Sequence, residues 1–209
     1  KKETKGKNDL LYSMYDRRQS ALKWMLVSCF GYLGYKNARF GRIEAHESVN
    51  AFSRDAILTA KEIAEAQGYE LLHAIIDCMW LKKEGATEKD YQQLCRTIAE
   101  QVDIDISLEG IYDWILFPSS KMDAAMPTGT RYVGWYHHGE MKIRGIETRR
   151  RDTPKFIKKM QAAMLDQMSM VHSISELEAI VPQLLDTARE HITLLRSGQV
   201  NPMELVIRR

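Results

Sequence analysis

Apolar and polar positions follow a helical period over the first third of the chain. Apolar residues recur at steps of three and four from about residue 8 to 32, and again over Glu44–Gln67, where Gly68 would end the helix. Residues 35–41, which lie between them, have the composition of a turn. The pattern therefore predicts two long helices joined by a short turn.

The period then changes to that of strands. The short apolar runs Tyr69–Ile76 and Cys78–Lys83 have the length of strands, and Asp77 lies at the tight turn between them. A helix is predicted next over Thr87–Gln101, with Thr87 as the N-cap and Asp90 three residues later as an imperfect capping box.

More strands and then helices are predicted for the second half. A strand is expected over Ile104–Phe117, ended by Pro118, and residues 119–130 have the composition of a loop. A hairpin is expected from Arg131–Tyr136 and Met141–Gly145.

The last part of the chain is predicted to be helical. Pro154 suits a first turn and would open a helix that runs to about His172. Ser175 is the predicted N-cap of a second helix that runs to about Arg196, before Gly198. Helices on one face of a small antiparallel sheet, followed by a helical pair, make an α+β protein.

Composition is that of an ordinary globular chain. Of the 209 residues, 44% are hydrophobic and 28% are charged, which favours neither disorder nor a membrane protein. No apolar run approaches the roughly 20 residues that a spanning helix needs. Cys29, Cys78 and Cys95 are odd in number and have no CxxC spacing, so we expect buried thiols in a reducing, cytoplasmic compartment.

Charge is concentrated in one stretch. The net charge is only +2, but residues 142–159 contain eight basic residues and two acidic ones. Such a run is compatible with a solvated face and with a surface that binds phosphate backbones through counterion release. The sequence leaves both interpretations open.

One cation stands on an apolar face of the first helix. Gln19, Lys23, Val27 and Phe30 are separated by four, four and three residues, so they share a face that we expect to end at the Gly31 and Gly34 breakers. By spacing alone, Lys23 could equally be a surface residue whose stem covers apolar surface.

The order of residues around Lys23 points to a family. Gln19 is followed after three residues by Lys23, and Lys23 is followed after four residues by Ser28. The aromatic-Gly pair Phe30-Gly31 comes next, and its glycine opens the stretch GYLGYKNARFGRIEAHESVNAFSRDAI. This order closely resembles the fingers-to-palm segment of family B DNA polymerases. The resemblance implies that Gln19, Lys23, Phe30 and Gly31 bind the incoming nucleotide, with Lys23 on its triphosphate. Val27 departs from the family, which usually has Asn there, and Phe30 replaces a Tyr.

The resemblance also places a metal-binding motif in the first hairpin. The family's Tyr-Gly-Asp-Thr-Asp-Ser run aligns with residues 73–78, HAIIDC, so Ile75 replaces the first Asp and Asp77 retains the second. The resemblance implies that Asp77 is the catalytic metal ligand for Mg²⁺. Glu109 is a weaker candidate for a supporting carboxylate, and the alternative interpretation is a solvent-side strand residue. Without the resemblance, Asp77 is equally a turn-forming residue.

Two further motifs resemble the regions that hold DNA. TGTRYVGW resembles the primer-gripping strand, keeping Arg131 and Tyr132 but replacing two lysines with Gly129 and Thr130. RGIETRRRD resembles the palm-to-thumb junction, which implies that its three arginines bind DNA. These arginines are Arg149, Arg150 and Arg151. His137 and His138 are interpreted as hairpin-end residues and not as ligands.

The resemblance covers essentially the whole chain and implies its organisation. Residues 1–33 would be a fingers helix, 34–150 the palm and 151–209 a partial thumb, within a longer protein. The loss of several functional groups resembles an inactivated paralogue of archaeal type. Expected partners are primer-template DNA, dNTP and other replication or repair proteins, near the nucleoid and not at a membrane.

Three functions follow as hypotheses. The first is a polymerase region with impaired catalysis that binds DNA in a structural or regulatory role. The second is an active replicative or repair polymerase whose remaining metal ligand lies upstream of this chain. The third is a helical interaction module with only an ancestral likeness to polymerases.

Overall fold

A computed structural model describes residues 9–120 and 122–207. They form two compact units. One unit contains the described residues up to Gly68 together with Ile76–Cys78, and the other contains Tyr69–Ile75 and the described residues from Met79 onward. No helix in these described ranges is long and apolar enough to cross a membrane.

The two predicted long helices are confirmed in the first unit. They are α1 (Asp9–Leu33) and α2 (Ile43–Ala66). The prediction that Gly31 helps to end the first helix is wrong, because α1 continues through it to Leu33. A single Gly costs a helix only about 1 kcal/mol relative to Ala, so neighbouring helical residues can carry it.

The turn between α1 and α2 is held by its own backbone. The Ala38 amide donates to the Tyr35 carbonyl at 3.0 Å, and the Gly41 amide donates to the Ala38 carbonyl at 2.9 Å. A Cβ at Gly41 would collide with the Tyr35 carbonyl oxygen. The turn therefore requires a glycine at this position.

A hairpin and a helix follow, as predicted. The strands β1 (Glu70–Ile75) and β2 (Cys78–Lys82) pair in a two-stranded sheet, and α3 spans Glu88–Val102. The Thr87 amide donates to the Asp90 carboxylate at 2.7 Å, which holds the pKa of Asp90 below its ordinary value. Thr87 and Asp90 thus form the predicted capping box.

A three-stranded antiparallel sheet has the order β3-β4-β5. Its strands are β3 (Tyr112–Leu116), β4 (Tyr132–Tyr136) and β5 (Met141–Arg144). The hairpin of β4 and β5 is confirmed, but the strand predicted over Ile104–Phe117 is too long. β3 pairs with four residues of β4, and the Ile111 carbonyl accepts from the His137 amide at 2.9 Å, so the ladder with β4 ends at about residue 111.

The terminal helices differ most from the prediction. They are α4 (Lys155–Met168), α5 (Ile174–Ala179) and α6 (Val181–Arg196). The first ends four residues before His172. The predicted single helix from Ser175 is wrong: Ser173 is the N-cap, and the helix is interrupted before α6. Pro182 is the reason, because it has no amide hydrogen to donate and so must lie in the first turn of a new helix.

The core of the second unit joins the sheet to these helices. Trp114 of β3 is 2% exposed, and its indole Nε1 donates to the Val171 carbonyl at 3.0 Å. Buried apolar side chains from both sides surround it: Val133, Ile146, Leu165, Val171 and Leu177. The α+β class predicted from the sequence is therefore confirmed.

Candidate functional site

The predicted nucleotide-binding residues all lie on α1. Gln19, Lys23, Phe30 and Gly31 are exposed, as is Val27. All 25 residues of α1 are described, and each is exposed or half-buried. Lys23 thus presents its ammonium group on an accessible face of this helix.

The side chain of Phe30 contacts a residue of α2. The imidazole of His46 stacks on the Phe30 ring, with centroids 4.2 Å apart and planes inclined by 27°. His46 Nδ1 also lies 3.1 Å from the Phe30 carbonyl oxygen. No local pattern predicts this contact, because the two residues belong to different helices and are 16 residues apart.

The remaining carboxylate of the metal motif lies at the tip of the β1–β2 hairpin. Asp77 and Ile76 form the two-residue turn, and both are exposed. Ile76 has φ 49°, a left-handed conformation that is costly for a β-branched residue. The hairpin thus holds Asp77 on a strained turn.

Asp77 does not by itself fit a magnesium centre. Ile75 contributes an alkyl group where an oxygen ligand would be needed. Within residues 9–120 and 122–207, no three His, Cys, Asp or Glu side chains are grouped so that they could hold a metal ion. A two-ion centre needs clustered carboxylates, and the described residues do not supply them.

Two departures from the family pattern meet at one point. A Cβ on Gly129 would lie 2.7 Å from both Cε1 and Nε2 of His73 and 3.8 Å from Cδ1 of Ile75. His73 Nε2 is also 3.3 Å from the Gly129 carbonyl oxygen. His73 of the β1–β2 hairpin and Gly129 of the turn before β4 are 56 residues apart in sequence and pack against each other.

Four rings fill the space beside this contact, and we call them the four-ring cluster: His73, Trp80, Phe117 and Tyr132. His73 stacks on Trp80 with centroids 5.4 Å apart, and Tyr132 meets Trp80 edge-on at 5.1 Å. Phe117 contacts the other three rings. Trp80 and Tyr132 are only 8% and 7% exposed. Tyr132, a predicted DNA contact, thus has its ring in the interior of the second unit.

Arg131, the other predicted DNA contact of this strand, has an internal partner. Its guanidinium pairs with Glu147, whose carboxylate also accepts from Gln161 Nε2 at 2.8 Å. Partial burial would raise the pKa of Glu147, but the hydrogen bonds from Gln161 and Arg131 and the charge of Arg131 together hold it below its ordinary value. This pair joins the start of β4 to the short 3-10 helix at Glu147–Arg149.

The three adjacent arginines differ in their surroundings. Arg150 is paired with Asp152 through two hydrogen bonds, of 3.0 and 2.6 Å, which raise the pKa of Arg150 and lower that of Asp152. Asp152 therefore neutralises the middle guanidinium group of the three. Arg149 and Arg151 are exposed. They present guanidinium groups on the surface, where phosphates could meet them.

Other basic residues of the run are also engaged. Lys159 pairs with Glu204, and Lys142 pairs with Glu109, which raises the pKa of Lys142. Glu109 thus acts as the partner of a lysine and lies before β3, not in a strand. Ion pairing therefore offsets part of the positive charge that the sequence suggested.

Two histidines that no sequence pattern brings together flank one carboxylate. His137 Nδ1 lies 2.8 Å from one oxygen of Asp113, and His172 Nδ1 lies 3.4 Å from the other. His137 does lie at the hairpin end, as interpreted. The contact between Asp113 and His172 spans 59 residues, so nothing in the local spacing could have revealed it.

Comparisons with known proteins agree with these motifs. The family described as DNA polymerase family B matches residues 1–209. The chain is 30% identical over 165 residues to DNA polymerase 2 of Saccharolobus solfataricus, covering 79% of this chain and 25% of that protein. It is 28% identical over 196 residues to a DNA polymerase of Archaeoglobus fulgidus, covering 94% of this chain and 23% of that protein. A DNA polymerase 2 of Aeropyrum pernix is 29% identical over 196 residues, with 94% and 22% covered.

The chain therefore spans about a quarter of the length of these curated relatives. The family match extends from the helix of Lys23, through the hairpin of Asp77, to the terminal helices. This chain belongs to family B of the DNA polymerases.

Proposed function

We propose that this chain is the region of a family B DNA polymerase that binds primer-template DNA and nucleotide, and that its catalysis is impaired. Its role would then be structural or regulatory. One observation carries the proposal: His73 and Ile75 of the β1–β2 hairpin pack around Gly129, which lies shortly before β4. In the family, the position of Ile75 has a metal-binding carboxylate and the position of Gly129 has a primer-gripping lysine. Here these two positions pack together with His73 and carry no charge.

The proposed organisation keeps the three regions of the family. Residues 1–33 act as a fingers helix, residues 34–150 as the palm and residues 151–209 as part of the thumb. The shared core of Trp114, Leu165 and Val171 is compatible with a firm junction between palm and thumb. A DNA duplex lying over this junction would be held by a rigid surface.

Arg149 and Arg151 are the proposed main contacts to DNA. Both are exposed, and a guanidinium group offers forked donors and keeps its charge at neutral pH. Arg150, Arg131 and Tyr132 complete the proposed set, but each already has an internal partner. We therefore expect these three to contribute less to affinity. Contacts to phosphates would not depend on sequence.

The nucleotide would meet the exposed face of α1. Lys23 would bind the triphosphate, Gln19 would assist it, and Phe30 with Gly31 would lie beside the base. Mg²⁺ would accompany the nucleotide, with Asp77 as the protein's remaining ligand in this chain. Since Ile75 cannot coordinate a cation, metal binding by these residues should be weak.

The retained Asp77 supports a second candidate function. It is exposed at the hairpin tip, where a carboxylate contributed by another part of a longer protein could join it. The protein would then be an active replicative or repair polymerase. Metal-dependent primer extension by the longest natural polypeptide that contains this chain separates the two functions.

DNA binding is tested by a salt series. Fluorescence anisotropy of a labelled primer-template would be measured from low to high salt for wild type, for Arg149→Ala/Arg151→Ala, and for Arg150→Ala as a matched control. Loss of two phosphate contacts should flatten the slope of log affinity against log salt by about two units. Arg150→Ala should change this slope by much less, because Asp152 already neutralises that guanidinium.

Two outcomes would contradict the proposal. Equal slopes for wild type and the double variant would mean that the basic run is only a solvated face. A loss of affinity for one primer-template sequence but not for others would mean that these arginines read bases and not phosphates.

A further inference from the structure

A side chain of α2 contacts the last turn of α1. His46 lies near the start of α2, which begins at Ile43, and its ring reaches the last turn of α1. There Nδ1 is 3.1 Å from the Phe30 carbonyl oxygen, so the imidazole N–H donates to that oxygen. The same ring stacks on the Phe30 side chain at 4.2 Å.

The hydrogen bond reaches the backbone of the last turn of α1. Phe30 is the fourth residue from the end of this helix. A histidine near a helix C-terminus can hydrogen-bond the carbonyls of the last turn. His46 therefore fixes the backbone at Phe30 as well as its ring.

The absence of a side chain at Gly34 leaves room for this ring. A Cβ at Gly34 would lie 3.1 Å from Nδ1 and 3.2 Å from Cγ of His46, which is closer than ordinary contact. Gly34 is not among the described glycines with positive φ, so its backbone does not explain why glycine is needed. The space above it is taken by the imidazole.

We propose that His46 is a positioning residue for nucleotide binding: it holds the Phe30 ring at the angle at which the incoming base meets it. The inference rests on the proposed nucleotide-binding face of α1. The stack restricts the Phe30 side chain, and the hydrogen bond restricts its backbone. A base that binds beside this ring therefore pays less conformational entropy to order it.

Three variants separate the two interactions. His46→Asn keeps a side-chain N–H near the position of Nδ1 but removes the ring. His46→Phe keeps a ring but removes the donor, and His46→Ala removes both. His191 is the matched control, because its Nδ1 lies 2.8 Å from the Thr187 carbonyl in α6, far along the chain from α1. His191→Asn changes the same kind of contact in the other unit.

The measurement is the dissociation rate of a primer-template with a chain-terminated primer, with and without the next complementary dNTP. The longest natural polypeptide that contains the chain is used, and each variant's unfolding transition is recorded. In wild type the dNTP should slow dissociation. His46→Ala and His46→Asn should reduce this nucleotide effect by about three- to tenfold, the usual worth of an aromatic contact, with DNA affinity in the absence of dNTP unchanged.

His46→Phe should retain most of the nucleotide effect while lowering the unfolding midpoint, and His191→Asn should retain all of it. A nucleotide effect of His46→Ala equal to that of wild type would overturn the inference, since neither the stack nor the hydrogen bond would then matter for nucleotide binding. If wild type itself shows no nucleotide effect, the proposed nucleotide-binding face of α1 fails, and the role of His46 fails with it.

Discussion

Helix α1 and the four-ring cluster place the same kinds of residue in opposite environments. Trp24 and Met25 of α1 are 71% and 62% exposed, next to the exposed Lys23. In the four-ring cluster, Trp80 and Tyr132 are nearly buried, and the glycine at 129 accommodates His73. The helix presents Lys23 on its surface. The β1–β2 hairpin packs its side chains around Gly129.

The difference shows what each environment requires of its residues. On the exposed face of α1, few packing contacts constrain the side chains, and Lys23 is accessible. At the β1–β2 hairpin, His73 and Ile75 lie around Gly129, where an added side chain would collide with the His73 ring. Stability should therefore depend on packing at the hairpin and depend little on the exposed face of α1.

The largest expected effect comes from the matched pair of tryptophans. Trp80→Ala should lower the free energy of unfolding by about 3–5 kcal/mol, because it leaves a cavity among His73, Phe117 and Tyr132. Trp24→Ala should change it by no more than about 0.5 kcal/mol, since that side chain is exposed. Urea unfolding measures the free energy of unfolding of both variants. Equal decreases for the two variants would contradict the difference in burial between Trp80 and Trp24.

A second pair concerns two glycines. Gly129→Ala should destabilise the protein by about 1–3 kcal/mol, because the new methyl group would press on the His73 ring. The cost should largely disappear when His73→Ala is added. As the control, Gly31→Ala meets nothing within 4 Å and should stabilise α1 by about 0.5–1 kcal/mol.

A double-mutant cycle followed by thermal unfolding measures the coupling between residues 73 and 129. If Gly129→Ala lowers the unfolding free energy by the same amount in wild type and in the His73→Ala background, His73 does not pack against residue 129.

The third prediction concerns pH. The pKa of Glu147 is lower in the folded chain than its ordinary value of 4.5, so its ionised form contributes stability above that pH. This contribution should be lost as the pH falls below about 4.5 and through the lower folded pKa. Glu147→Gln should be less stable than wild type at neutral pH by about 1–2 kcal/mol, since it weakens hydrogen bonds to a charged group.

Chemical unfolding at a series of pH values would show the two proteins converging in acid. A constant difference down to pH 3 would mean that Arg131 and Gln161 do not hold the carboxylate in its charged form.

The smallest expected effect is at the hairpin tip. Ile76 is 80% exposed and has φ 49°, so Ile76→Asn should raise the unfolding free energy by up to about 1 kcal/mol by relieving strain. Ile104→Asn, at an exposed position without positive φ, serves as the control and should change stability by no more than about 0.5 kcal/mol. A destabilised Ile76→Asn would show that the side chain matters more than its backbone conformation.

Features set by neighbouring residues could be predicted from the sequence. Thr87 and Asp90 identified the start of α3, and the change of period at Gly68 identified the first hairpin. These features depend on residues a few positions apart. The N-cap at Ser173 was within reach of the same reasoning, because Glu176 follows three residues later and Pro182 cannot continue a helix.

Features that join distant parts of the chain could not be predicted in the same way. The stack of His46 on Phe30, the pairing of Arg131 with Glu147 and the contact of His73 with Gly129 each depend on how the elements pack. The motifs located the candidate residues along the chain. Only the structure separated exposed Arg149 and Arg151 from the paired Arg150 between them.

The central claim is that this region binds primer-template DNA without supporting efficient nucleotidyl transfer. It is tested most directly by primer extension with Mg²⁺ and all four dNTPs, at a protein concentration that anisotropy shows to saturate the primer-template. We expect no template-directed incorporation by the purified 209-residue chain, and little by the longest natural polypeptide that contains it. Incorporation by the chain alone, or rapid extension by that polypeptide that stops on Asp77→Ala, would contradict the account.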